Sequence, residues 1–281
     1  MSRKKLRICV FSLFRDSEDY LDRCLKQLED MEKQTDAKFT YFFYENDSKD
    51  NTVSILNNWI KTRKGKLLSE KLGTRKFGSI SNGERMINLS SYRNKMVKLS
   101  EDIDSEYSII FDSDVIFKGN IVNQFLEYKD LNFSMLTPNI RQNIPCKMGS
   151  KSKTSYYDSS ILFDIDGQPS MTWSDNPFYN DGDRKKFKSG QPIKVKSSFG
   201  SFALVKSEYL KHCRWNSMGE SEHLYFCSSL NKFAPIYLLP KIKPKVIIPK
   251  TEFAHSDNVV NNQKFLSKNK WNRFLLKTRS L

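Results

Sequence analysis

Apolar and polar positions in the first 130 residues follow a strand–helix rhythm. Arg7-Ile8-Cys9-Val10-Phe11-Ser12-Leu13 is a short, nearly continuous apolar run, the pattern of a strand buried on both faces. Asp16 then stands as a cap for a helix whose Leu21, Leu25, Leu28 and Met31 recur at helical spacing. A second strand over residues 39–44 is almost wholly aromatic and ends in Glu45-Asn46-Asp47-Ser48. A second helix carries Val53, Leu56, Trp59 and Ile60 on one face. After a Gly-, Lys- and Ser-rich loop over residues 64–83, a third helix carries Met86, Leu89, Met96 and Leu99. Residues 107–111 form an apolar strand that stops abruptly at Asp112-Ser113-Asp114.

Such alternation implies an α/β fold, a mostly parallel sheet with helices on both faces. Ligands in these sheets bind at the carboxyl ends of the strands. Here the three strands run into Arg15-Asp16, Glu45-Asn46-Asp47 and Asp112-Ser113-Asp114, so polar chemistry collects on one edge. Past residue 130 the rhythm changes. Short strands are predicted over 133–136, 160–163, 193–196 and 202–205, separated by polar loops. The longest polar stretch, 171–190, is read as a loop. A helix over 221–230, apolar segments at 236–239 and 246–248, and a basic tail follow. There is no internal repeat.

Composition narrows the classes. The chain has 281 residues, 38% of them hydrophobic and 20 of them Phe, enough for a real core, which excludes general disorder. Lys and Arg total 47 against 32 Asp and Glu, a formal charge of +15 that suggests an anionic partner. Five cysteines, an odd number with no CxxC pair, argue against a zinc ribbon or disulfide framework. Met1-Ser2-Arg3-Lys4-Lys5 has the charge of a signal peptide, but the apolar stretch behind it is short and contains Arg7. It reads as a first strand, and no apolar run reaches the ~18–20 residues of a membrane span. The expected location is the cytoplasm, with peripheral membrane contact open to the basic tail.

Asp112-Ser113-Asp114 is the central motif. Two carboxylates one residue apart, just past a buried strand, can hold a hard divalent ion such as Mn²⁺ or Mg²⁺, which would bridge a substrate diphosphate. The plain alternative is a solvated turn. The step from Ile109-Ile110-Phe111 into two acids favours a site, because burying unpaired carboxylates is costly. A polymerase-type nucleotidyltransferase would need a Gly-Ser helix start shortly upstream. Gly78-Ser79 lies far from Asp112, with a whole helix between.

In the order of these motifs the sequence resembles the GT-A glycosyltransferase superfamily, from about residue 6 to 260. Val10-Phe11-Ser12-Leu13-Phe14-Arg15-Asp16 looks like its first strand and nucleotide loop. Glu45-Asn46-Asp47-Ser48-Lys49-Asp50-Asn51-Thr52 is similar to the run that closes its second strand. Ser91-Tyr92-Arg93-Asn94-Lys95 looks like the R-N element of capsule-associated and Mnn9/Anp1-like mannosyltransferases. The resemblance implies a sandwich with a central sheet and a smaller mixed β region in the C-terminal half. It also implies one catalytic domain, with residues 1–130 for the nucleotide sugar, 131–260 for the acceptor and 261–281 as the tail. Arg15, Glu45 and Asp47 would then border the nucleoside, Arg93 would face the diphosphate or the sugar, and Asp112 and Asp114 would hold Mn²⁺ (or Mg²⁺).

Gly200 would open a strand where backbone approaches the sugar. Gly219-Glu220-Ser221-Glu222-His223-Leu224-Tyr225-Phe226-Cys227 resembles the segment that supplies a base in inverting members. His223 stands where the family's usual Asp would be, so Glu220, Glu222 and His223 are all candidates. His255 matches the late histidine that serves as a further metal ligand. In the polar stretch, Trp173, Asp181 and Asp183 would meet the acceptor.

The implied partners are a UDP- or GDP-sugar donor and a glycan, glycoprotein or lipid-linked acceptor. Two other readings stand beside this one. A non-catalytic polyanion or nucleic-acid binder would suit the charge, although no nucleic-acid motif is present. A sugar-phosphate nucleotidyltransferase would carry a Gly-rich first loop, and Phe11-Ser12-Leu13-Phe14-Arg15 has no glycine.

Overall fold

In the computed structural model, which describes residues 5–77, 82–144, 153–172, 174–218 and 221–246, the first apolar run forms strand β1 (Leu6–Phe14). Helix α1 (Glu18–Gln34) buries Leu21, Leu25, Leu28 and Met31 as the spacing predicts, together with Cys24. Then come β2 (Ala37–Asn46), α2 (Thr52–Ile60), β3 (Gly65–Glu70), α3 (Gly83–Lys98) and β4 (Tyr107–Asp112). A turn leads to β5 (Val115–Ile116), α4 (Ile121–Leu126), β6 (Met135–Pro138) and the hairpin of β7 (Arg141–Ile144) with β8 (Lys153–Tyr156). The second half continues with β9 (Phe163–Asp164), α5 (Asp181–Ser189), β10 (Ile193–Ser197), β11 (Phe202–Lys206) and α6 (Ser207–Leu210). It closes with α7 (Glu222–Leu230), β12 (Ile236–Leu239) and β13 (Lys245–Val246).

Nine strands make the central sheet, in the order β3-β2-β1-β4-β11-β6-β12-β10-β9. The first four are mutually parallel, with Leu13 opposite Asp112 and Phe14 opposite Glu45. This register brings the polar ends of β1, β2 and β4 to one edge. From β4 onward the pairing turns antiparallel, apart from β6 with β12. Parallel pairing therefore dominates only the half of the sheet built from β1 to β4. A second sheet, β5-β13-β7-β8, sits beside the end of β4.

Side-chain alternation along β2 explains why both of its faces are apolar. Tyr41 and Phe43 pack on Trp59 of α2, while Tyr44 stacks on Tyr92 of α3 with ring centres 4.9 Å apart. Helices α2 and α3 thus cover opposite faces of the strand.

The structure corrects several expectations. Asp16 does not cap α1; Ser17 holds the cap position, and Asp16 sits at φ 44° with its carboxylate turned to the Lys49 N–H. The region read as one loop before α3 contains edge strand β3, which pairs with β2 through residues half-buried or exposed. The stretch read as a loop over 171–190 contains α5, whose start is capped by Asn180 accepting from the Asp183 N–H. Its C-cap, Gly190, adopts φ 77°, which favours glycine. Residues 160–162 are not strand, because the Ile161 and Leu162 N–H groups both turn back to the Asp158 carbonyl.

Candidate active site

The loops after β1 and β2 form the first part of the site. Asp47, at φ 56°, lies in the left-handed region that Asp tolerates better than most residues. Its Oδ1 accepts from the N–H groups of Leu72 and Gly73 at 2.7 and 2.8 Å. Its Oδ2 accepts from the Thr74 N–H, the Thr74 hydroxyl and the Asn46 amide at 3.0, 2.7 and 2.9 Å. Burial works against this carboxylate, but the Thr74 hydroxyl, the Asn46 amide and the backbone donors outweigh it and hold the group well below the usual carboxylate range. Arg15 donates to the Thr74 carbonyl at 2.6 Å, and Lys76 reaches Asp16 at 2.7 Å. Glu45 is buried and accepts from the Ser48 N–H and the Ser69 hydroxyl. Together these bonds strap residues 71–77 across the carboxyl ends of β1 and β2.

The second part is built around one arginine. Arg93 lies on the inner face of α3 with its side chain only 4% exposed. Its Nη2 donates to Asp112 Oδ1 at 3.0 Å and its Nε to Glu222 Oε1 at 3.4 Å, while Nη1 is buried without a partner. Its guanidinium also lies 5.2 Å from the centre of the Phe199 ring. Asp112 ends β4, and its N–H donates to the Ser201 carbonyl at 2.9 Å, which ties the acidic turn to the start of β11. Gln27 of α1 pins the other side of that turn, accepting from the Phe117 N–H and donating to the Val115 carbonyl. Asp114 is therefore held in a braced turn between β4 and β5.

Helix α7 supplies Glu222 and His223 in its first turn, with Ser221 as its cap. The His223 ring stacks on Phe199, centres 3.8 Å apart, and its Nδ1 accepts from the Trp215 indole at 3.4 Å. The ring proton consequently sits on Nε2, 3.4 Å from Glu222 Oε1. Burial first, then Arg93 and Arg85, push the His223 pKa well below its ordinary 6.5. A neutral buried histidine must be charged as the protein acidifies, so stability should fall as pH drops below about 6.5, where the unfolded chain binds the extra proton. His223→Gln should flatten that slope in urea-unfolding midpoints measured from pH 7 to 5.

Sequence reasoning missed Asp158, in the turn after β8. Asp158 Oδ2 accepts from the Gly200 N–H at 3.1 Å. Burial, then the neighbouring charges of Asp112 and Glu222, push its carboxyl up to about 7 against the pull of that N–H. No periodic pattern marks this turn in the sequence; only its polarity sets it apart. Arg93, Asp112, Gly200, Glu222 and His223 are thus brought together, and Arg15, Glu45 and Asp47 lie at the neighbouring strand ends. Asp181 and Asp183 are not part of this group. They open α5, which lies near β10, four strands from β4, or roughly 19 Å at ordinary strand spacing. Trp173, Glu220 and His255 lie outside the described residues, as does the tail over 261–281.

Residues 7–234 match the family described as Cryptococcal mannosyltransferase 1. The chain belongs to that family. No curated protein matches it. Among solved structures, this member of the mannosyltransferase family is similar to S. aureus TarS 1-349 in complex with UDP-GlcNAc, at 14% identity and a TM-score of 0.53. That alignment covers 87% of this chain and 59% of TarS 1-349. It is also similar to PcManGT from Pyrobaculum calidifontis in complex with GDP-Man and Mn²⁺, at 11% identity and TM-score 0.51, over 88% of this chain and 58% of that one. GalNAc-T7 with UDP, GalNAc and Mn²⁺ aligns at 14% identity and TM-score 0.53, over 88% and 45%. The chain spans about three fifths of the first two and under half of the third. These likenesses give the fold, and with the family match they place the chain in the GT-A glycosyltransferase superfamily.

Proposed function

We propose that this chain transfers a sugar from a UDP- or GDP-sugar to a hydroxyl of a glycan, glycoprotein or lipid-linked acceptor, using Mn²⁺ or Mg²⁺ held by Asp112 and Asp114. The observation that carries the reading is the meeting of Asp112, Arg93 and Glu222 at the carboxyl end of β4, beside the strapped loops of β1 and β2. The donors found in the similar structures, UDP-GlcNAc and GDP-Man, support the same class.

The residues fit a hard divalent ion. Mg²⁺-type ions take one or two protein carboxylates and complete their shell with water and substrate phosphate. Among the described residues, no group of three or more His, Cys, Asp and Glu gathers as a cage, so the protein's described share is the two carboxylates, with His255 proposed as a third ligand. The ion, when bound, would neutralise charge developing on the leaving diphosphate. Arg93 adds a fixed cation whose buried Nη1 still lacks a partner, a donor suited to a phosphate oxygen. Arg15, Glu45 and Asp47 shape the nucleoside end. Glu222 is proposed as the carboxylate that receives the acceptor proton, with His223 held neutral beside it. Among the described residues no helix is long and apolar enough to cross a membrane, and the basic tail is proposed to meet an anionic membrane bearing a lipid-linked acceptor.

Thermal unfolding against UDP, GDP, UDP-GlcNAc and GDP-mannose, each with and without Mn²⁺, tests this reading. A ligand at 100 times its Kd stabilises by about 2.7 kcal/mol, which is a readable shift. A Mn²⁺-dependent rise with one nucleotide class is expected. No shift with any of the four would remove the transferase reading and return the basic surface to polyanion binding.

A further inference from the structure

Asp158 stands out in the acidic cluster. Asp112 and Glu222 both lean on Arg93, whereas among the described residues Asp158 has no cationic partner. Its place is fixed rather than incidental. Oδ2 takes the N–H of Gly200, which adopts φ 64°, and the next residue, Ser201 at φ 52°, accepts the Asp112 N–H. One turn therefore ties the two carboxylates at a set separation. That turn tolerates little change, since a Cβ on Gly200 would lie 3.2 Å from Ile140 Cγ2 and 3.3 Å from the Pro138 carbonyl.

The charged groups differ between the two ends of this strand edge. Over β1 and β2, Arg15, Arg75 and Lys76 stand beside Asp16 and Asp47, with Lys76 paired to Asp16 at 2.7 Å and Arg15 4.0 Å from Asp47. Around β4 and α7, Asp112 and Glu222 share the Arg93 guanidinium while Asp158 stands apart from it, and the field of Arg85 reaches Tyr157 and His223. At the second end a phosphate needs a divalent ion and the Arg93 guanidinium beside it, because the carboxylates alone would repel it. A neutral, hydroxyl-rich group suits the second, because a carboxylate offers only acceptors and a sugar hydroxyl donates. Half-buried Asp158 lies in the fields of Asp112 and Glu222, which the Gly200 N–H and the Ser160 hydroxyl offset only in part, and a further hydroxyl donor would relieve it.

We propose that Asp158 accepts a hydrogen bond from a hydroxyl of the donor's sugar ring, so that it reads the sugar and not the nucleotide. This rests on the transferase reading above.

The test compares affinities for UDP-GlcNAc and GDP-mannose with those for UDP and GDP, in Mn²⁺, by titration calorimetry. Asp158→Asn keeps an acceptor for the Gly200 N–H and removes the charge. It should weaken the preferred sugar nucleotide by about tenfold or more, the scale of a charge-assisted hydrogen bond, and leave its parent diphosphate unchanged. A purely structural role would move both ligands together and lower the melting temperature, which would overturn the proposal. So would an unchanged sugar-nucleotide affinity with slowed turnover, which would make Asp158 a proton acceptor instead. Should the Asn variant fail to fold, Asp158→Glu, which keeps the charge but displaces it, should show the same selective loss. A wild type that binds none of the four compounds removes the transferase reading itself, and the proposal with it.

Discussion

Replacing Arg93 by methionine should destabilise the protein by about 3–5 kcal/mol, the usual cost of leaving a buried charge without its partner. The side chain is 4% exposed and Glu222 only 3%, so neither end of that pair can turn to water. Without the guanidinium, buried Glu222 would lose its ion pair while still feeling the charges of Asp112 and Asp158. The contact of Arg93 with the Phe199 ring goes as well. Arg93→Lys should recover only part of the loss, because a single ammonium cannot span two carboxylates as a planar fork does. The double variant Arg93→Met with Glu222→Gln should be more stable than Arg93→Met alone, since it removes the stranded charge. Urea midpoints for the four proteins decide the matter. If the single variant is as stable as the wild type, the cluster is not organised around Arg93.

How much of this was legible in the sequence depends on whether a feature is local. β1, β2 and β4 are short apolar runs and α1 keeps helical spacing, so periodicity reveals them, while α3 follows it more loosely and buries Ser90, Tyr92 and Arg93 beside the expected Met86 and Met96. The abrupt stop of β4 at Asp112 is local too. β3 is not legible in this way: Gly65-Lys66-Leu67-Leu68-Ser69-Glu70 lies at the sheet edge, and being only half-buried it has no need of an apolar run. α5 escapes because its polar composition hides a helix that buries, of its own residues, only Asp183. The partnership of Arg93 with Glu222 joins residues 129 positions apart, and Asp158 reaches Gly200 across 42. Each residue carries a pattern of its own or none, and nothing in the chain announces their meeting. Resemblance supplied Arg93, Asp112, Gly200 and Glu222 as members of a site. Only the fold could show that one guanidinium serves two carboxylates while a third stands apart.

Asp112→Asn should reduce sugar transfer by about three orders of magnitude, the scale on which lost transition-state electrostatics is felt. The fold should survive it, because an amide oxygen can still accept from Arg93 Nη2 and Glu222 remains to balance the guanidinium. Loss of one acid from a group of three also relieves repulsion, so the melting temperature in the absence of ligand should hold or rise slightly. The informative change is in linkage. Wild type should gain stability from nucleotide only when Mn²⁺ is present, and the variant should lose that dependence while keeping whatever weak binding the cations around Arg15 provide. Asp114→Asn should behave in the same direction, since both carboxylates leave the same braced turn after β4. Turnover with unaltered Mn²⁺ dependence in Asp112→Asn would place the ion elsewhere. Asp112 would then be a partner for Arg93 alone, and the acidic turn would be architecture rather than chemistry.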